Sequence, residues 1–171
     1  MNLRLATPAD VPALGALSRR AMSAKWEHLY RPEDFAAWIE SSHSDRKIES
    51  EIADPAMRVA VMEDAGELVA FCKLNLSASF DRDHSDAANP LELKQLYTAP
   101  ERLGRGLGAR LMDWTLDQAR AAGADEIQLS VWSGNHDAQR FYRRYGFAKI
   151  ADITYPVGEQ IDEEFLFALR L

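Results

Sequence analysis

Cysteine is almost absent from this chain, and so are long apolar runs. Cys72 is the single cysteine among 171 residues, which excludes an internal disulfide. No apolar run approaches the roughly 18 residues that a membrane-spanning helix needs. Residues 1–8 also lack the apolar core of a secretory signal. We therefore expect a cytoplasmic protein with no membrane partner.

Positive charge is also scarce. The 20 Lys and Arg residues are outnumbered by 27 Asp and Glu residues, which gives a net charge of -7. Proteins that bind nucleic acids normally carry a basic surplus or a basic face, so we expect no nucleic-acid partner. The four histidines are scattered and lack the ligand spacing of a metal site, so we expect no metal.

The chain does contain enough apolar material for one core. Apolar residues make up 47% of a length typical of one domain, and no repeat or Gly/Ser-rich linker interrupts it. We interpret residues 1–171 as a single domain. Periodicity predicts the element order β-α-α-β-β-β-α-β-α-β-β, which is a mixed α/β sheet and neither a strict β-α alternation nor a barrel.

Some predicted boundaries matter for the site. The pattern predicts an aromatic-rich connection over residues 22–32, a strand over 91–98, helices over 105–122 and 135–145, and a final strand over 165–171 that follows an acidic turn.

One strand–turn–helix segment carries three glycines at alternate positions, Gly104, Gly106 and Gly108, at the start of a predicted helix. Glycines let backbone N–H groups turn inward without a Cβ clash. Those donors and the positive end of the helix form an anion site. Arg102 and Arg105 add positive charge, so the segment predicts a ligand with a pyrophosphate.

Two common nucleotide loops do not fit this segment. A Walker loop ends in Gly-Lys-Ser/Thr, whereas this one ends in Gly108-Ala109-Arg110. A dinucleotide fold spaces its glycines G-x-G-x-x-G and places an acidic residue at the end of the next strand, whereas Glu126 opens that strand. Taken alone, the glycines are equally compatible with an ordinary helix start.

A second motif makes the functional prediction specific. It resembles the second signature of the GCN5-related N-acetyltransferase (GNAT) superfamily, and it begins 29 residues after Gly106 with a helix and a strand between, as in that superfamily. The residues that carry the resemblance are Asn135, Ala138, Phe141, Tyr142, Gly146 and Phe147.

The resemblance implies a fold, a reaction and a cosubstrate. The fold is α/β, a mixed and mostly antiparallel sheet flanked by helices and splayed between the fourth and fifth strands. The reaction is direct attack of an amine on acetyl-CoA. The implied cofactor-binding residues are Leu96, Tyr97, Thr98, Leu103, Gly104, Arg105, Gly106, Leu107, Gly108, Asn135 and Tyr142. Leu103 departs from the Gln or Arg with which this loop usually begins.

Tyr142 is the implied general acid. A phenol with a pKa of about 10 protonates a thiolate whose conjugate acid has a pKa of about 8.5 at little cost. Periodicity by itself offers packing instead, because Tyr142 lies on an apolar stripe with Ala138, Phe141 and Tyr145.

Glu92 is the implied general base. It lies eleven residues before Leu103, the offset of the catalytic glutamate in the histone-acetylating members of the superfamily. Two alternatives stay open: Glu92 pairs with Lys94 two places along the strand, or a water chain takes the proton.

For the acceptor, we expect a small cationic amine, with polyamines first among the candidates. The acidic segments 77–90 and 158–164 are expected to rim the acceptor side, where the faces of Trp26 and Tyr30 would hold an alkylammonium. Their acidic residues are Asp81, Asp83, Asp86, Glu159, Asp162, Glu163 and Glu164.

Residues 155–163 resemble the last hairpin of bacterial polyamine-acetylating members of the superfamily. A protein or peptide amine as acceptor, a non-catalytic acyl-CoA sensor, and carboxylates that serve only solubility are alternatives that the sequence leaves open. It also leaves open a homodimer.

Overall fold

The computed structural model describes all 171 residues. Seven strands and five α-helices follow the predicted order, except that two helices, Pro32–His43 and Asp45–Ala53, stand where the sequence predicted one. The strands are β1 (Asn2–Leu5), β2 (Met57–Asp64), β3 (Glu67–Asn75), β4 (Pro90–Thr98), β5 (Glu126–Trp132), β6 (Ala148–Val157) and β7 (Gln160–Arg170). The helices are α1 (Val11–Trp26), α2 (Pro32–His43), α3 (Asp45–Ala53), α4 (Leu107–Ala121) and α5 (His136–Arg144).

The strands form one sheet in the order β1-β2-β3-β4-β5-β7-β6. Every neighbouring pair is antiparallel except β4 and β5, which are parallel. The parallel pair follows from the α4 crossover, because a parallel connection needs a helix-length return. The mixed, mostly antiparallel sheet flanked by helices is the fold that the sequence predicted.

Helices cover both faces of the sheet. On one face, α4 packs on the larger apolar core, which includes Ala70 and Cys72. On the other face, α1 and α3 cover a smaller core around Phe71. These residues alternate along β3 because successive side chains of a strand point to opposite faces. β3 therefore lies between two helical layers.

The sheet splits between β4 and β5. The two strands are paired only at Pro90–Glu126, Leu91–Ile127 and Glu92–Gln128, and they diverge beyond that point. Next to the split, the register between β3 and β4 shifts, since Lys73 pairs with Gln95 but Leu74 pairs with Leu93. Such a bulge bends its strand. The predicted splay between the fourth and fifth strands is confirmed.

Two predicted boundaries were wrong. The connection expected over 22–32 is helical as far as Trp26, followed by the 3-10 turn Glu27–Leu29. Met22 and Trp26 are buried on that last turn and join α1 to α2 through Phe35. Apolar packing at a four-residue spacing therefore extends the helix.

The last strand also begins earlier than expected. β7 starts at Gln160, so Asp162, Glu163 and Glu164 lie in the strand and not in a turn. Asp162 is buried and Glu163 is exposed, which is strand alternation with a polar inner face. Because that inner face lines a cleft, it carries polar residues, and the apolar alternation that predicts a core strand is missing from the sequence.

None of the helices combines the length and the apolar character that are needed to cross a membrane.

Candidate active site

A cleft of about 370 Å³ opens where β4 and β5 diverge. Its walls come from α1, α2, β4, β5, α5 and the β6–β7 hairpin. Five of the residues predicted for catalysis or cofactor binding line it together: Glu92, Leu96, Tyr97, Asn135 and Tyr142. The glycine loop lies outside this cavity, beyond the end of β4.

The glycine loop has the geometry of an anion site. Gly104 and Gly106 both have φ of +75°, and Gly106 is the residue directly before α4. A Cβ added at Gly106 meets nothing within 4 Å, so the space above the loop is open. The first helical bond runs from the N–H of Arg110 to the carbonyl of Gly106, which leaves the N–H groups of the first turn free for a ligand.

The side chains around the glycine loop differ in how available they are to a bound phosphate. Arg105 is exposed and has no ion-pair partner, so its charge is available to a phosphate. Arg102, however, lies 3.4 Å from Asp64. Its positive charge is therefore partly engaged in an ion pair and is less available to a phosphate. Leu103 is 69% exposed, so the side chain in this place neither packs nor offers a polar contact.

Asn135 shapes the turn between β5 and α5. Its side-chain oxygen accepts a hydrogen bond from the N–H of Ala138 at 3.3 Å, which caps the helix. Gln139, which sequence reasoning missed, fixes the same turn because its amide donates to the carbonyls of Trp132 and Ser133 at 3.3 and 2.8 Å. Its place one turn after Asn135 was the available signal.

Tyr142 reaches the cleft from α5. Its ring packs edge-on against those of Phe141 and Phe147, at interplanar angles of 70° and 62° and centroid distances of 5.3 and 5.8 Å. Its hydroxyl has no hydrogen-bond partner within the protein, and the residue lines the cleft. Burial raises the pKa of Tyr142 above its usual value, so the phenol keeps its proton over the neutral and mildly alkaline range.

Glu92 lines the cleft near its closed end, and its carboxylate is already engaged. Its Oε2 accepts from the N–H and the hydroxyl of Ser79 at 3.1 and 2.6 Å. Its Oε1 lies 3.4 Å from Nζ of Lys94. The pairing with Lys94 that the sequence left open is therefore present in the structure.

Two further carboxylates, Asp162 and Glu164, enter the cleft from β7. Asp162 accepts a hydrogen bond from the hydroxyl of Tyr30 and one from the amide of Gln160 at 2.7 Å. Oε2 of Glu164 is buried without a partner, and burial raises the pKa of Glu164. No Lys or Arg forms an ion pair with either carboxylate.

Aromatic rings surround these carboxylates. Trp26 and Trp132 meet edge to face at 5.6 Å, and Tyr30 lies 6.1 Å from Trp38. Sequence reasoning placed Trp26 and Tyr30 here and missed Trp132, Trp38 and Tyr155. The missed rings come from three other elements, and only the tertiary fold brings them to one wall.

A family model described as the Acetyltransferase (GNAT) family matches residues 23–147, well over half of the chain. The chain belongs to this family. Membership makes it an acetyl-CoA-dependent N-acetyltransferase.

Relatives support the same assignment. An N-acetyltransferase of Lactobacillus delbrueckii subsp. lactis is 26% identical over 95% of this chain and 92% of its own length. The aminoalkylphosphonate N-acetyltransferase of Salmonella typhimurium is 27% identical over 85% of this chain and 84% of its own.

A solved structure shares the fold. The PaiA N-acetyltransferase of Thermoplasma acidophilum, crystallised with coenzyme A, superposes with a TM-score of 0.81. It is 20% identical, and the match covers 99% of this chain and 98% of that one.

One sequence expectation about this GNAT enzyme was wrong. Asp81, Asp83 and Asp86 do not line the cleft. Their loop precedes β4, at the far end of that strand from the glycine loop, where Asp86 pairs with Arg170. Of the acidic residues expected at the acceptor side, only Asp162 and Glu164 line the cleft.

A buried ion pair that the sequence did not reveal lies beside the cleft of this GNAT enzyme. Lys73 is fully buried on β3, and its Nζ lies 2.6 Å from a carboxylate oxygen of Glu51. His43 lies near this pair and bonds to the hydroxyl of Ser18 at 2.7 Å. Burial lowers the pKa of His43 to about 3, so this histidine is neutral at physiological pH.

Proposed function

We propose that this enzyme acetylates a primary amine of a small cationic molecule, with polyamines as the first candidates. The observation that supports this most strongly is the acidic wall of the cleft, where Asp162 and Glu164 stand without a basic partner. A carboxylate that is removed from water without a counter-ion is costly. An ammonium group of the acceptor would supply the missing charge.

The aromatic wall supports the same class of acceptor. Trp26, Tyr30 and Trp132 line the cleft beside the carboxylates. An alkylammonium over such a face gains about 0.5–2 kcal/mol per ring. Rings and carboxylates together favour an aliphatic cation over an anionic or neutral acceptor.

The cosubstrate side follows from the loop and the split. The N–H groups of residues 104–108 would hold the pyrophosphate, with Arg105 as the nearby cation. The pantetheine arm would enter the split beside Leu96, Tyr97 and Thr98. The open space above Gly106 and the lost pairing after Glu92 fit a ligand of that shape.

For the chemical step, we assign the proton donor to Tyr142. The neutral amine attacks the thioester carbonyl carbon, the carbon–sulfur bond breaks, and the phenol gives its proton to the departing thiolate. The amine must first lose a proton to a base. Two carboxylates of the cleft, Glu92 and Glu164, are the candidates for that base.

A relative's name supports a small acceptor, since the Salmonella typhimurium relative is named for an aminoalkylphosphonate. A protein amine remains a second acceptor class. It is separated from the first by measuring acetylation of a lysine peptide beside the free amines.

The test measures thiol release from acetyl-CoA with three acceptors, each at low and high salt. They are spermidine, a monoamine of similar length with no further charged group, and glutamate. We expect spermidine to have the highest kcat/KM and its advantage to shrink as salt rises, because salt screens the attraction. A preference for glutamate would overturn the proposal.

A matched pair of variants separates the cleft from the overall charge. Asp162→Asn removes one carboxylate from the acceptor wall, whereas Asp83→Asn makes the same charge change on the exposed loop outside the cleft. We expect KM for spermidine to rise in the first variant only. An equal rise in both would mean that net charge, and not the wall, attracts the amine.

A further inference from the structure

Glu164 lies at the open part of the split, whereas Glu92 lies at its closed end. Glu92 on β4 is paired with Gln128 on β5, which is the last pair before the two strands diverge. Trp132, four residues further along β5, is paired with Glu164 on β7. At a rise of about 3.3 Å per residue, Glu164 is therefore about 13 Å beyond Glu92 in the direction in which the split opens, and both line the same cleft.

The two carboxylates also differ in what holds them. Both oxygens of Glu92 are contacted, by Ser79 on one side and Lys94 on the other. Oε2 of Glu164 is buried and has no partner. A buried acceptor without a partner is uncommon in folded proteins and calls for a ligand that fills the role.

The groups around Glu164 are acidic or neutral. Asp162 lies on the same face of β7, the Ser130 side chain on β5 is close enough to hydrogen-bond with the carboxylate, and the phenols of Tyr30 and Tyr97 lie within range of its charge. Lys25 on α1 lines the cleft as well, with its Nζ 4.9 Å above the ring of Trp26, and forms no ion pair with Glu164.

We propose that Glu164, and not Glu92, contacts the acceptor and takes the proton from its ammonium group. The inference rests on the proposed function. In this step the N–H bond of the ammonium breaks, an O–H bond forms at Oε2 of Glu164, and the freed lone pair of the amine attacks the thioester. The proton that the thiolate needs comes from Tyr142, which approaches from α5 on the opposite side of the sheet.

Burial of Glu164 makes proton transfer from the ammonium group less unfavourable. A carboxylate has an ordinary pKa of about 4.3 and an alkylamine one of about 10, so proton transfer between them is uphill. Burial raises the pKa of Glu164, which narrows the gap. An ammonium bound beside the carboxylate favours its ionised form, which is the form that accepts the proton.

The test compares pH profiles of kcat/KM for Glu164→Gln, Glu92→Gln and the unmodified enzyme, with the best amine from the panel. We expect Glu164→Gln to lose about 10²–10⁴-fold at pH 7, the usual scale for a lost base. The loss should shrink towards the pKa of the amine, where the amine is already neutral. Tyr142 remains protonated over that range, so the rescue is observable.

Three controls keep the result interpretable. Glu163→Gln makes the same change one residue along β7, on the exposed face, and should leave the rate unchanged. CoA should raise the melting temperature of Glu164→Gln as much as that of the unmodified enzyme. An acceptor amine of low pKa, neutral at pH 7, should be much less affected by Glu164→Gln than spermidine.

A rate for Glu164→Gln within threefold of the unmodified enzyme overturns the inference, and so does a loss that is the same at every pH. A larger, pH-dependent loss in Glu92→Gln would assign the base to Glu92 instead. If the unmodified enzyme releases no thiol with any amine, the proposed function itself is wrong, and that result is distinct from a failure of the role assigned to Glu164.

Discussion

At the scale of single residues, Tyr142 shows how one position serves packing and chemistry together. Its ring belongs to the apolar stripe that periodicity identifies, and its hydroxyl reaches the cleft. The stripe is visible in the sequence, whereas the direction of the hydroxyl depends on where α5 crosses the split. Resemblance to the family suggested the role, and the structure shows that the position is compatible with it.

Replacement of Tyr142 by Phe keeps the ring and removes the proton. We expect kcat to fall by about 10²–10⁴-fold, as for a lost general acid, with CoA binding unchanged in a thermal-shift assay. Tyr145→Phe is the matched control, because Tyr145 is on the same helix and its hydroxyl bonds to the carbonyl of Ala109 at 3.3 Å, outside the cleft. A kcat for Tyr142→Phe close to that of the control would leave Tyr142 with a packing role only.

The buried ion pair between Lys73 and Glu51 is a residue-scale feature that no sequence pattern predicted. Their atoms lie 2.6 Å apart, and burial lowers the pKa of Lys73. Lys73→Met should lower the free energy of unfolding by about 3–5 kcal/mol, because the buried carboxylate of Glu51 then keeps only the more distant Lys47, at 3.8 Å, as a cationic neighbour.

Adding Glu51→Gln to Lys73→Met should recover part of that loss, since the stranded charge is then removed. Urea denaturation of the two single variants and the double variant measures the coupling. Strictly additive effects would show that the two residues do not stabilise each other.

At the scale of elements, local signals in the sequence, namely alternation, helical stripes and glycine spacing, predicted nearly all of the order of strands and helices and the glycine loop. The split of the sheet came instead from the resemblance to the family. The ends of α1 and β7 were missed because tertiary packing fixed them. Trp26 stays helical through contacts with Phe35 and Trp132, and the inner face of β7 carries Asp162 and Glu164 because a cleft covers it.

The start of α4 offers a sharp element-scale test. Gly106→Val puts a β-branched residue at φ +75°, into the open space above the loop. We expect loss of the CoA-dependent rise in melting temperature, because a ligand stabilises only the state that binds it. Gly123→Val at the other end of α4 is the control, with φ of +68° and equally open surroundings.

Both glycine variants should lose similar stability from backbone strain, about 1–2 kcal/mol. Only Gly106→Val should lose the response to CoA. An undiminished response in Gly106→Val, or an equal loss in Gly123→Val, would remove the loop from the cosubstrate site.

At the scale of the whole molecule, the strand order decides what the cleft contains. β7 lies between β5 and β6, so the C-terminal part of the chain brings its carboxylates to a split whose other wall was formed more than sixty residues earlier, by β4. Such long-range pairing has no local signal. The sequence accordingly placed two acidic segments, 77–90 and 158–164, at the acceptor side, and the fold brings only Asp162 and Glu164 of the second segment to the cleft.

The central claim is acetyl transfer from acetyl-CoA to a cationic amine, and isotope tracing tests it most directly. The enzyme is incubated with acetyl-CoA carrying a ¹³C-labelled acetyl group and with spermidine, and mass spectrometry follows the label while a thiol reagent follows free CoA. We predict that labelled acetylspermidine and free thiol appear in equal amounts. Free thiol without labelled amide would show hydrolysis, and CoA binding without either product would show a sensor; both results contradict the account.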